Sequence, residues 1–499
     1  MSSVRPDLKF ADKSDENSFY KSYLRLPVKS HKTLRIADRG DYYTVLDDDA
    51  EFVADSIYKT SSVIKTTSSQ GKSIKYITLS PAVFANLIKL SVLNLGYKIE
   101  IYDKNWINPK FASPGNLNEI EEFLNSNDLN SINLISSLKL INNNSNNDNR
   151  KIGLSFYDQN TKKIGLCEFN DNELFSNLES ILIQLGIKEC LLPSNNNGSN
   201  NNIDPDFEKL EQLIDRCDIV ITHIKPSEYN DKNIEQDLIR LTGNDLILST
   251  NELSSMKISL NCCNSLINYL GLINDEINFG NLSIFKHNLS KYMRLDYAAV
   301  KALNLFPNHN SVNNNNSMNK NSSLFGLLNN CKSIGGSRLL SQWLKQPLLD
   351  INKIKERQII VGHLINDLSL RNYLQNSILN SVPDIPKLIK KLYSSSSSSN
   401  NNKSTYSSSK LDDVIRLYQL SIKLPELLET LQNSIDDLQD DDDDDDGDNN
   451  KSIIELFNNI WIKPIKNYIE SLLKFQELIE TTIDLSVIEN ATSNSSRCK

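Results

Sequence analysis

Short hydrophobic runs recur over residues 1–126 and indicate several strands with a few helices between them. Thr33–Ile36 and Tyr42–Leu46 flank the polar Arg39-Gly40-Asp41 and predict a strand, a turn and a strand. The other elements predicted here are a helix from Asp47 to about Tyr58, strands at Val63–Lys65 and Ile74–Leu79 around a polar turn at Thr66–Lys72, a helix capped by Ser80-Pro81, and a strand at Tyr97–Tyr102. We expect a small α+β domain with about four or five strands.

Strand and helix patterns alternate over residues 131–284. Ile152–Tyr157 and Lys163–Phe169 predict a hairpin across Asp158–Thr161. The elements predicted after this hairpin are a helix at Asn172–Leu185, a strand at Glu189–Leu192, a helix at Pro205–Arg216, a strand at Asp218–Ile221 and a helix at Asn233–Leu241. This order is typical of a mixed sheet covered by helices.

Apolar residues at three- and four-residue spacing dominate residues 295–490, which predicts an all-α region. Leu411–Leu431 carries one such series of leucines. A second series runs for about seven turns through Phe457, Trp461, Ile465, Tyr468, Leu472, Phe475, Ile479 and Ile483. We expect Pro464 to bend this last helix near its start. Long helices with one apolar face need a partner surface.

Five polar runs rich in Asn, Ser or Asp interrupt these patterns, at residues 141–149, 194–202, 307–322, 394–409 and 436–450. They contain too little apolar surface to offset the entropy lost on ordering them. We expect them to be disordered surface insertions.

The charge balance changes once these insertions are located. The chain has 54 basic and 63 acidic residues, a net charge of −9, which argues against a nucleic-acid partner. Ten of the acidic residues lie in Ile435–Asn449, so the rest of the chain is nearly neutral. No apolar run is long enough for a membrane span and the N-terminus has no signal-peptide pattern, so we expect a soluble intracellular protein. Seven scattered cysteines and five histidines predict reduced thiols and no structural zinc.

One segment partly matches a nucleotide-binding loop. Gly71-Lys72-Ser73 fits the end of the GxxxxGK[ST] pattern, but Thr66 stands where the first glycine is required. We therefore expect no nucleotide site, no catalytic residue, no metal ligand and no cofactor in this chain, and do not expect it to be an enzyme.

Carboxylates in the second region leave a nuclease open as an alternative. Asp158, Glu168 and Asp218 fall on or beside predicted strands, and a cluster of them could hold two magnesium ions for phosphodiester cleavage. The other interpretation is that Asp158 forms the hairpin turn while Glu168 and Asp218 are surface carboxylates.

Basic and aromatic residues near the first turn are candidates for contact with nucleic acid. Arg39 and Lys65 could neutralise phosphates, together with Lys59, Lys72 and Lys75, and exposed Tyr42 or Tyr43 could stack on bases. The alternative is that the tyrosines are half-buried packing residues of a strand.

Four blocks of sequence resemble the MutS family of DNA mismatch-repair proteins, and in detail its eukaryotic homologue 2 branch. They are Arg35–Thr44, which includes Gly40 and Asp41; Phe111–Leu117; Leu295–Leu305; and Ser323–Lys332, followed by Gly336, Arg338, Trp343 and Pro347. The resemblance extends from about Phe19 to Asn490.

The resemblance implies a mismatch-binding-type domain over residues 1–126, an RNase H-like connector over residues 131–284 and an incomplete helical core and lever over residues 295–490. Many family members carry a Phe-x-Glu wedge after the Gly-Asp of the first motif, whereas this chain has Tyr42 and Thr44 there. The resemblance therefore implies a subunit that holds the backbone of mismatched duplex DNA while its partner reads the mismatch. A protein-interaction scaffold without catalytic activity remains an alternative.

The resemblance also implies partners and surroundings. These are mismatched or looped double-stranded DNA, a MutS homologue 6-type or 3-type subunit, MutL-type proteins, a nuclear location, no membrane, and ATP with magnesium in the full-length family. The clamp and ATPase regions of the family are not found in this sequence, and residues 491–499 do not match the family. We expect a truncated product or gene model, with an apolar face over Tyr468–Ile483 left exposed.

Overall fold

The computed structural model describes residues 8–10, 12–29, 32–69, 72–107, 109–123, 134–142, 150–194, 204–230, 232–243, 251–274, 276–307, 322–396, 411–440 and 447–483. The chain forms two compact units. One comprises residues 1–289 and 294–327, and the other comprises residues 290–293 and 328–499. The predicted tail at residues 491–499 and the insertion at residues 307–322, apart from its ends, lie outside the described residues.

The first unit begins with a six-stranded sheet in the order β3-β4-β2-β1-β5-β6. Its strands are β1 Thr33–Asp38, β2 Tyr43–Leu46, β3 Lys65–Ser69, β4 Lys72–Leu79, β5 Lys98–Tyr102 and β6 Lys110–Ala112. Its α-helices are α1 Lys13–Leu24, α2 Asp47–Val53 and α3 Pro81–Ile88. The α+β class agrees with the sequence prediction. We refer to residues 8–123 as the first-sheet domain.

Two details of the predicted first sheet are wrong. The predicted strand at Val63–Lys65 is a turn of 3-10 helix at Ser61–Val63, and β3 begins where that prediction ends. The polar residues expected to form a turn instead pair with β4 along the edge of the sheet. β6 was not predicted because it has only three residues, which is too short for an alternating pattern.

Apolar side chains cover both faces of the first sheet. One face packs under α2 and α3 and buries Val45, Ile77 and Phe84, among others. The other face packs under α1, whose Phe19 and Tyr20 are buried with Leu46 and Trp106. α1 begins at Lys13 because the side chain of Asp12 accepts a hydrogen bond from the backbone N–H of Asp15 at 2.8 Å. The central strands β1 and β2 are therefore buried except for Asp38, which is partly exposed.

A second six-stranded sheet has the order β11-β10-β7-β8-β9-β12. Its strands are β7 Leu134–Asn142, β8 Arg150–Asp158, β9 Lys163–Asp171, β10 Ile187–Pro193, β11 Val220–Ile224 and β12 Ser283–Lys286. The α-helices that follow β9 are α4 Ser176–Leu185, α5 Pro205–Arg216, α6 Ile234–Thr242, α7 Asn251–Ser254, α8 Lys257–Leu270 and α9 Tyr297–Ala302. β7, β8 and β9 are antiparallel, whereas β10 pairs in parallel with both β7 and β11. We refer to residues 134–286 as the second-sheet domain.

The rest of the chain is helical, as predicted. The helices are α10 Leu324–Leu328, α11 Ile334–Lys345, α12 Ile351–Asn366, α13 Leu368–Tyr373, α14 Ile385–Ser396, α15 Leu411–Asp440, α16 Gly447–Phe457 and α17 Lys463–Thr482. Pro464 lies in the first turn of α17, directly after a π-helical turn at Asn458–Ile462. None of the described helices combines the length and the apolar character needed to cross a membrane.

Two expectations for the helical region are wrong in part. The insertion predicted at residues 436–450 is shorter, because α15 continues to Asp440 and α16 begins at Gly447. The apolar stripe of α17 is not left exposed as a whole, because α15 packs against it. Ile479 is buried, and Tyr418 of α15 donates a hydrogen bond to Glu480 at 2.9 Å. Among the large apolar residues of α17, Tyr468, Leu473 and Leu478 remain exposed.

Candidate nucleic-acid interface

The turn between β1 and β2 is held by hydrogen bonds among its own residues. The backbone N–H of Arg39 donates to the carbonyl of Tyr42 at 2.9 Å, and that of Gly40 donates to Asp38 Oδ1 at 2.8 Å. Gly40 has a φ of +90°, which a residue without a side chain adopts at the least cost. Asp41 is exposed at the tip. The short motif therefore closes a tight hairpin and fixes the directions of the neighbouring side chains.

Arg39 and Tyr42 both hold the N-terminal segment against this turn. The Arg39 guanidinium lies 4.7 Å from the ring centroid of Phe10 and 4.5 Å from that of Phe19, and it donates to the Lys9 carbonyl at 3.2 Å. The Tyr42 hydroxyl accepts a hydrogen bond from the backbone N–H of Lys9 at 3.1 Å. Each side chain keeps part of its surface exposed. The two candidates are thus brought together, but neither extends freely into solvent.

Tyr43 does not fit the predicted contact with bases. Its ring stacks on Phe84 with the centroids 3.6 Å apart and the planes at 14°. Phe123 meets it edge-on at 6.5 Å, and only 8% of Tyr43 is exposed. The prediction that its ring could stack on a base is therefore wrong, because one face of the ring stacks on Phe84 and the residue is buried, as the alternative packing interpretation expects.

Thr44 occupies the position at which the related wedge motif carries its acid. Thr44 is fully buried in β2, and its hydroxyl has no hydrogen-bond partner among the described residues. The neighbours on this face of the sheet include Phe19, Tyr20 and Leu46, which are apolar or aromatic. A side chain at position 44 is thus directed into the core rather than toward a ligand.

Lys65 is exposed at the start of β3 and lies opposite Tyr76 of β4. Of the other lysines considered, Lys75 forms an ion pair with Glu51. β3 is an edge strand, so Lys65 lies at the edge of the first sheet.

The near match to a nucleotide-binding loop does not fit a nucleotide. Lys72 and Ser73 begin β4, whereas the lysine and serine of a phosphate-binding loop open a helix. Gly71 lies outside the described residues. Within the described ranges, no three His, Cys, Asp or Glu side chains are grouped so that they could hold a metal ion.

The three carboxylates considered for a nuclease have separate structural partners. Asp158 closes the hairpin turn by accepting hydrogen bonds from the Asn160 N–H at 2.9 Å and the Thr161 hydroxyl at 2.8 Å. Asp218 accepts a hydrogen bond from the Tyr297 hydroxyl. These contacts do not bring the carboxylates into one site.

Glu168 also has a structural role and is not the surface carboxylate that was expected. Its Oε1 accepts from the backbone N–H groups of Ile258 and Ser259 at the start of α8, at 2.7 and 3.1 Å. Its Oε2 lies 3.0 Å from Lys151 Nζ. A carboxylate at a helix N-terminus stabilises that end of the helix. The nuclease alternative therefore has no support in the structure.

The motif residues of the helical unit hold its elements together. Arg338 and Asp384 form a bidentate ion pair, with 2.9 Å between Nη1 and Oδ1 and 2.7 Å between Nη2 and Oδ2. The backbone N–H of Gly336 donates to the hydroxyl of Ser333, which caps α11. These contacts are internal to the unit and assign the two motif residues a structural role.

Trp343 and Pro347 have contacts of the same kind. The Arg357 guanidinium lies 3.8 Å from the ring centroid of Trp343, which keeps α11 next to α12. The Pro347 carbonyl accepts a hydrogen bond from the Met293 N–H at 2.8 Å.

Sequence reasoning missed the aromatic clamp on Arg39. The signal was present, because Leu8 and Phe10 are apolar residues just before a helix whose cap is Asp12. Such a residue often packs back on the first turns of the helix. It also missed a buried carboxylate, Glu189, which follows Lys188 near the start of β10 and precedes most of the apolar residues of that strand.

Comparison with known proteins agrees with this arrangement of domains. Three family models match in order: MutS domain I over residues 17–114, MutS domain II over residues 133–283 and MutS domain III over residues 298–497. Together they cover both sheets and the helical region, and the third model extends into residues 491–497, which the sequence analysis expected not to match the family.

Three relatives match almost the whole chain. DNA mismatch repair protein MSH2 of Saccharomyces cerevisiae is 42% identical over 508 residues, which cover 98% of this chain and 50% of the relative. DNA mismatch repair protein msh-2 of Neurospora crassa is 37% identical over 98% of this chain and 48% of its own length. DNA mismatch repair protein MSH2 of Zea mays is 31% identical over 97% of this chain and 48% of its own length. The chain spans about half the length of these relatives, and it belongs to the MutS family.

Proposed function

We propose that this chain is a DNA mismatch-repair subunit that holds the backbone of duplex DNA within a MutS-type heterodimer, while the partner subunit reads the mismatch. The observation that carries the proposal is the complete burial of Thr44 at the position where the related wedge motif has its acid.

Reading a mismatch in the manner of the wedge motif requires an exposed aromatic ring and a carboxylate that can reach the mispaired base. Thr44 cannot supply a carboxylate, and its side chain is directed into the core. Even a glutamate at this position would be desolvated without a partner, which is unfavourable. Tyr42 is partly exposed, but its hydroxyl is engaged by the Lys9 N–H. The turn therefore lacks the acid of the wedge motif, and the hydrogen bond to Lys9 restricts the movement of its aromatic residue, Tyr42.

Contact with phosphates remains available to this surface. Lys65 is exposed on an edge strand, and Arg39 is partly exposed beside the turn. Phosphate contacts position a protein on the duplex without reading its sequence, and they weaken as salt concentration rises. Binding by this chain alone should therefore be weak, salt-sensitive and indifferent to sequence.

The order of strands supports the finer assignment of the domains. The antiparallel β7, β8 and β9, followed by β10 and β11 added in parallel beside β7, are the arrangement expected of an RNase H-like connector. In this proposal residues 1–126 are the mismatch-binding-type domain, residues 131–284 are the connector, and residues 295–490 belong to the core and lever.

The proposal extends to partners and location. The heterodimer partner is a MutS homologue 6-type or 3-type subunit, MutL-type proteins bind the assembly, and the complex acts in the nucleus. ATP and magnesium belong to regions of the family outside the stretch that this chain matches. These assignments follow from membership of the family and from the names of the relatives, which are DNA mismatch-repair proteins.

Fluorescence anisotropy with a labelled, fully paired duplex tests the backbone contact. The unaltered chain should bind at low salt, and its affinity should fall steeply as salt is added. Lys65→Gln should weaken binding and lower the slope of log K against log salt by about one. Lys353→Gln, which removes an exposed lysine of α12 in the helical unit, is the matched control and should change neither. Absence of binding at low salt would contradict the proposal and favour a scaffold.

A further inference from the structure

A buried carboxylate joins the two sheet domains of the first unit. Glu189 lies in β10 of the second-sheet domain and is fully buried. Its Oε2 accepts hydrogen bonds from the first-sheet domain, from the Ser113 hydroxyl at 2.5 Å and the Gly115 N–H at 3.2 Å. Its Oε1 accepts from its own domain, from the Thr222 hydroxyl at 2.5 Å and the Tyr269 hydroxyl at 3.0 Å. The two carboxylate oxygens of Glu189 therefore accept hydrogen bonds from different domains.

The fit around Gly115 leaves no room for a side chain. A Cβ atom on Gly115 would lie 2.8 Å from Glu189 Cβ and 3.0 Å from Ile135 Cβ, closer than carbon atoms normally approach. Both neighbours are Cβ atoms, which cannot move away without moving the backbone. Glycine at this position is thus a requirement of the contact between the domains.

Two further hydrogen bonds cross the same boundary. The Lys98 ammonium donates to the Ile221 carbonyl at 3.0 Å, and the Gln159 amide donates to the Gly115 carbonyl at 3.2 Å. Burial lowers the pKa of Lys98, while the negative charge of Glu189 acts in the opposite direction. A buried carboxylate with four donors and a buried cation nearby is expected to hold one geometry, because any opening leaves a buried polar group without a partner.

We propose that Glu189 is a positioning residue that fixes the first-sheet domain on the second-sheet domain. It thereby determines how the turn between β1 and β2 that carries Arg39, the Arg39 turn, is presented to DNA. The part that concerns DNA rests on the proposed function. The part that concerns the two domains rests on the contacts of Glu189 and Gly115 alone.

Hydrogen exchange on the full chain tests the contact between the domains. Glu189→Ala removes the acceptor of the Gly115 N–H and should speed exchange over residues 113–117 by at least about tenfold, while strand β1 in the core of the same domain keeps its protection. Glu189→Gln should restore much of that protection. Its amide oxygen can accept from Gly115, and its NH2 group can donate to the hydroxyls of Thr222 and Tyr269.

Glu168→Ala is the matched control. Glu168 is also a largely buried carboxylate of the second-sheet domain that accepts two backbone N–H bonds, but these donors and its ion-pair partner Lys151 lie in that domain. This variant should speed exchange at Ile258 and Ser259 and leave residues 113–117 unchanged. Equal effects of Glu168→Ala and Glu189→Ala on residues 113–117 would mean general destabilisation and would overturn the proposal. Unchanged protection in Glu189→Ala would overturn it as well.

A steric variant tests the same contact from the other domain. Gly115→Ala should separate the domains and reproduce the exchange pattern of Glu189→Ala. Gly335→Ala, a helical glycine with open space around its Cβ position, should have no effect on residues 113–117. If Glu189→Ala does not fold, Gly115→Ala decides the question, and protection of residues 113–117 equal to that of the unaltered chain would overturn the proposal.

Duplex binding tests the link to DNA. Glu189→Ala and Gly115→Ala should weaken binding to a paired duplex several-fold, and Glu168→Ala should not. Unaltered affinity in both variants, together with the expected exchange pattern, would remove the role in presenting the Arg39 turn and leave only the interdomain contact. If the unaltered chain binds no duplex, the proposed function fails, and the exchange results still decide the role of Glu189.

Discussion

The ring of Tyr43 lies parallel to that of Phe84 at a centroid distance of 3.6 Å, so two adjacent tyrosines have separate roles. Tyr43 belongs to the core, whereas Tyr42 lies at the partly exposed turn. Tyr43→Ala should lower the free energy of unfolding by about 3–5 kcal/mol, as for other large aromatic residues removed from a core. Tyr42→Ala should cost about 1 kcal/mol through the lost bond to Lys9. Urea denaturation of the two variants checks this difference, and equal losses would contradict it.

The burial of Thr44 leads to a second prediction about strand β2, which also contains Tyr43. Its buried hydroxyl has no partner among the described residues, so Thr44→Val should leave the free energy of unfolding unchanged or raise it by up to about 1 kcal/mol. Thr44→Glu buries a carboxylate among apolar side chains and should lower it by several kcal/mol. Denaturant unfolding measures both, and a stable, unperturbed Thr44→Glu variant would show that position 44 can face a ligand.

We expect the ion pair between Arg338 and Asp384 to contribute strongly to the stability of the helical unit. Both side chains are almost entirely buried, so Arg338→Ala leaves the carboxylate without its partner and should cost about 3–5 kcal/mol. Arg338→Lys should recover only part of this loss, because a lysine cannot make two parallel bonds. Arg357→Ala, which removes the cation over the exposed Trp343, is the control and should cost about 1 kcal/mol or less.

The environment of His363 predicts that the stability of the helical unit depends on pH. Its Nε2 lies 3.1 Å from the Ser434 hydroxyl, and its ring meets Phe457 edge-on. Burial lowers the pKa of His363 below its usual 6.5, although the nearby Asp367 acts in the opposite direction. The unfolded chain therefore binds a proton at a higher pH than the folded chain does. Stability should fall as the pH drops below about 6.5.

The measurement for His363 is the urea midpoint of the helical unit between about pH 7.5 and pH 5.5. His363→Gln removes the titrating group, so the urea midpoint of this variant should change less between these two pH values. The same slope in this variant as in the unaltered chain would assign the effect to other groups.

Local signals along the chain predicted much of the fold. The bounds of α5 are correct, because Asp204 and Pro205 mark its start and its apolar face has a clear period. α8 was not predicted, because it buries polar residues such as Ser259 and Ser265 together with its cysteines and so lacks one apolar face. The Asp-rich run as a whole has the composition of an insertion, although its first five residues, 436–440, form the end of α15.

In the candidate site, too, features set by neighbouring residues could be predicted from the sequence, whereas contacts between distant segments could not. The turn at Gly40 could be predicted, because a glycine between polar residues suits a positive φ. Packing of Tyr43 in a strand was one of the two interpretations of the sequence. The burial of Thr44 could not be predicted, because β2 is covered on both faces and so shows no alternation of apolar and polar residues. The contacts of Glu189 and of the apolar stripe on α17 depend on segments far away in the sequence.

The most direct test of the central claim is the affinity of this chain for a duplex with one G·T mismatch and for the same duplex fully paired, measured at low salt. The burial of Thr44 and the proposed phosphate contacts predict equal dissociation constants, within about a factor of two. A preference of tenfold or more for the mismatched duplex, about 1.4 kcal/mol, would contradict the claim that this chain holds DNA without reading the mismatch.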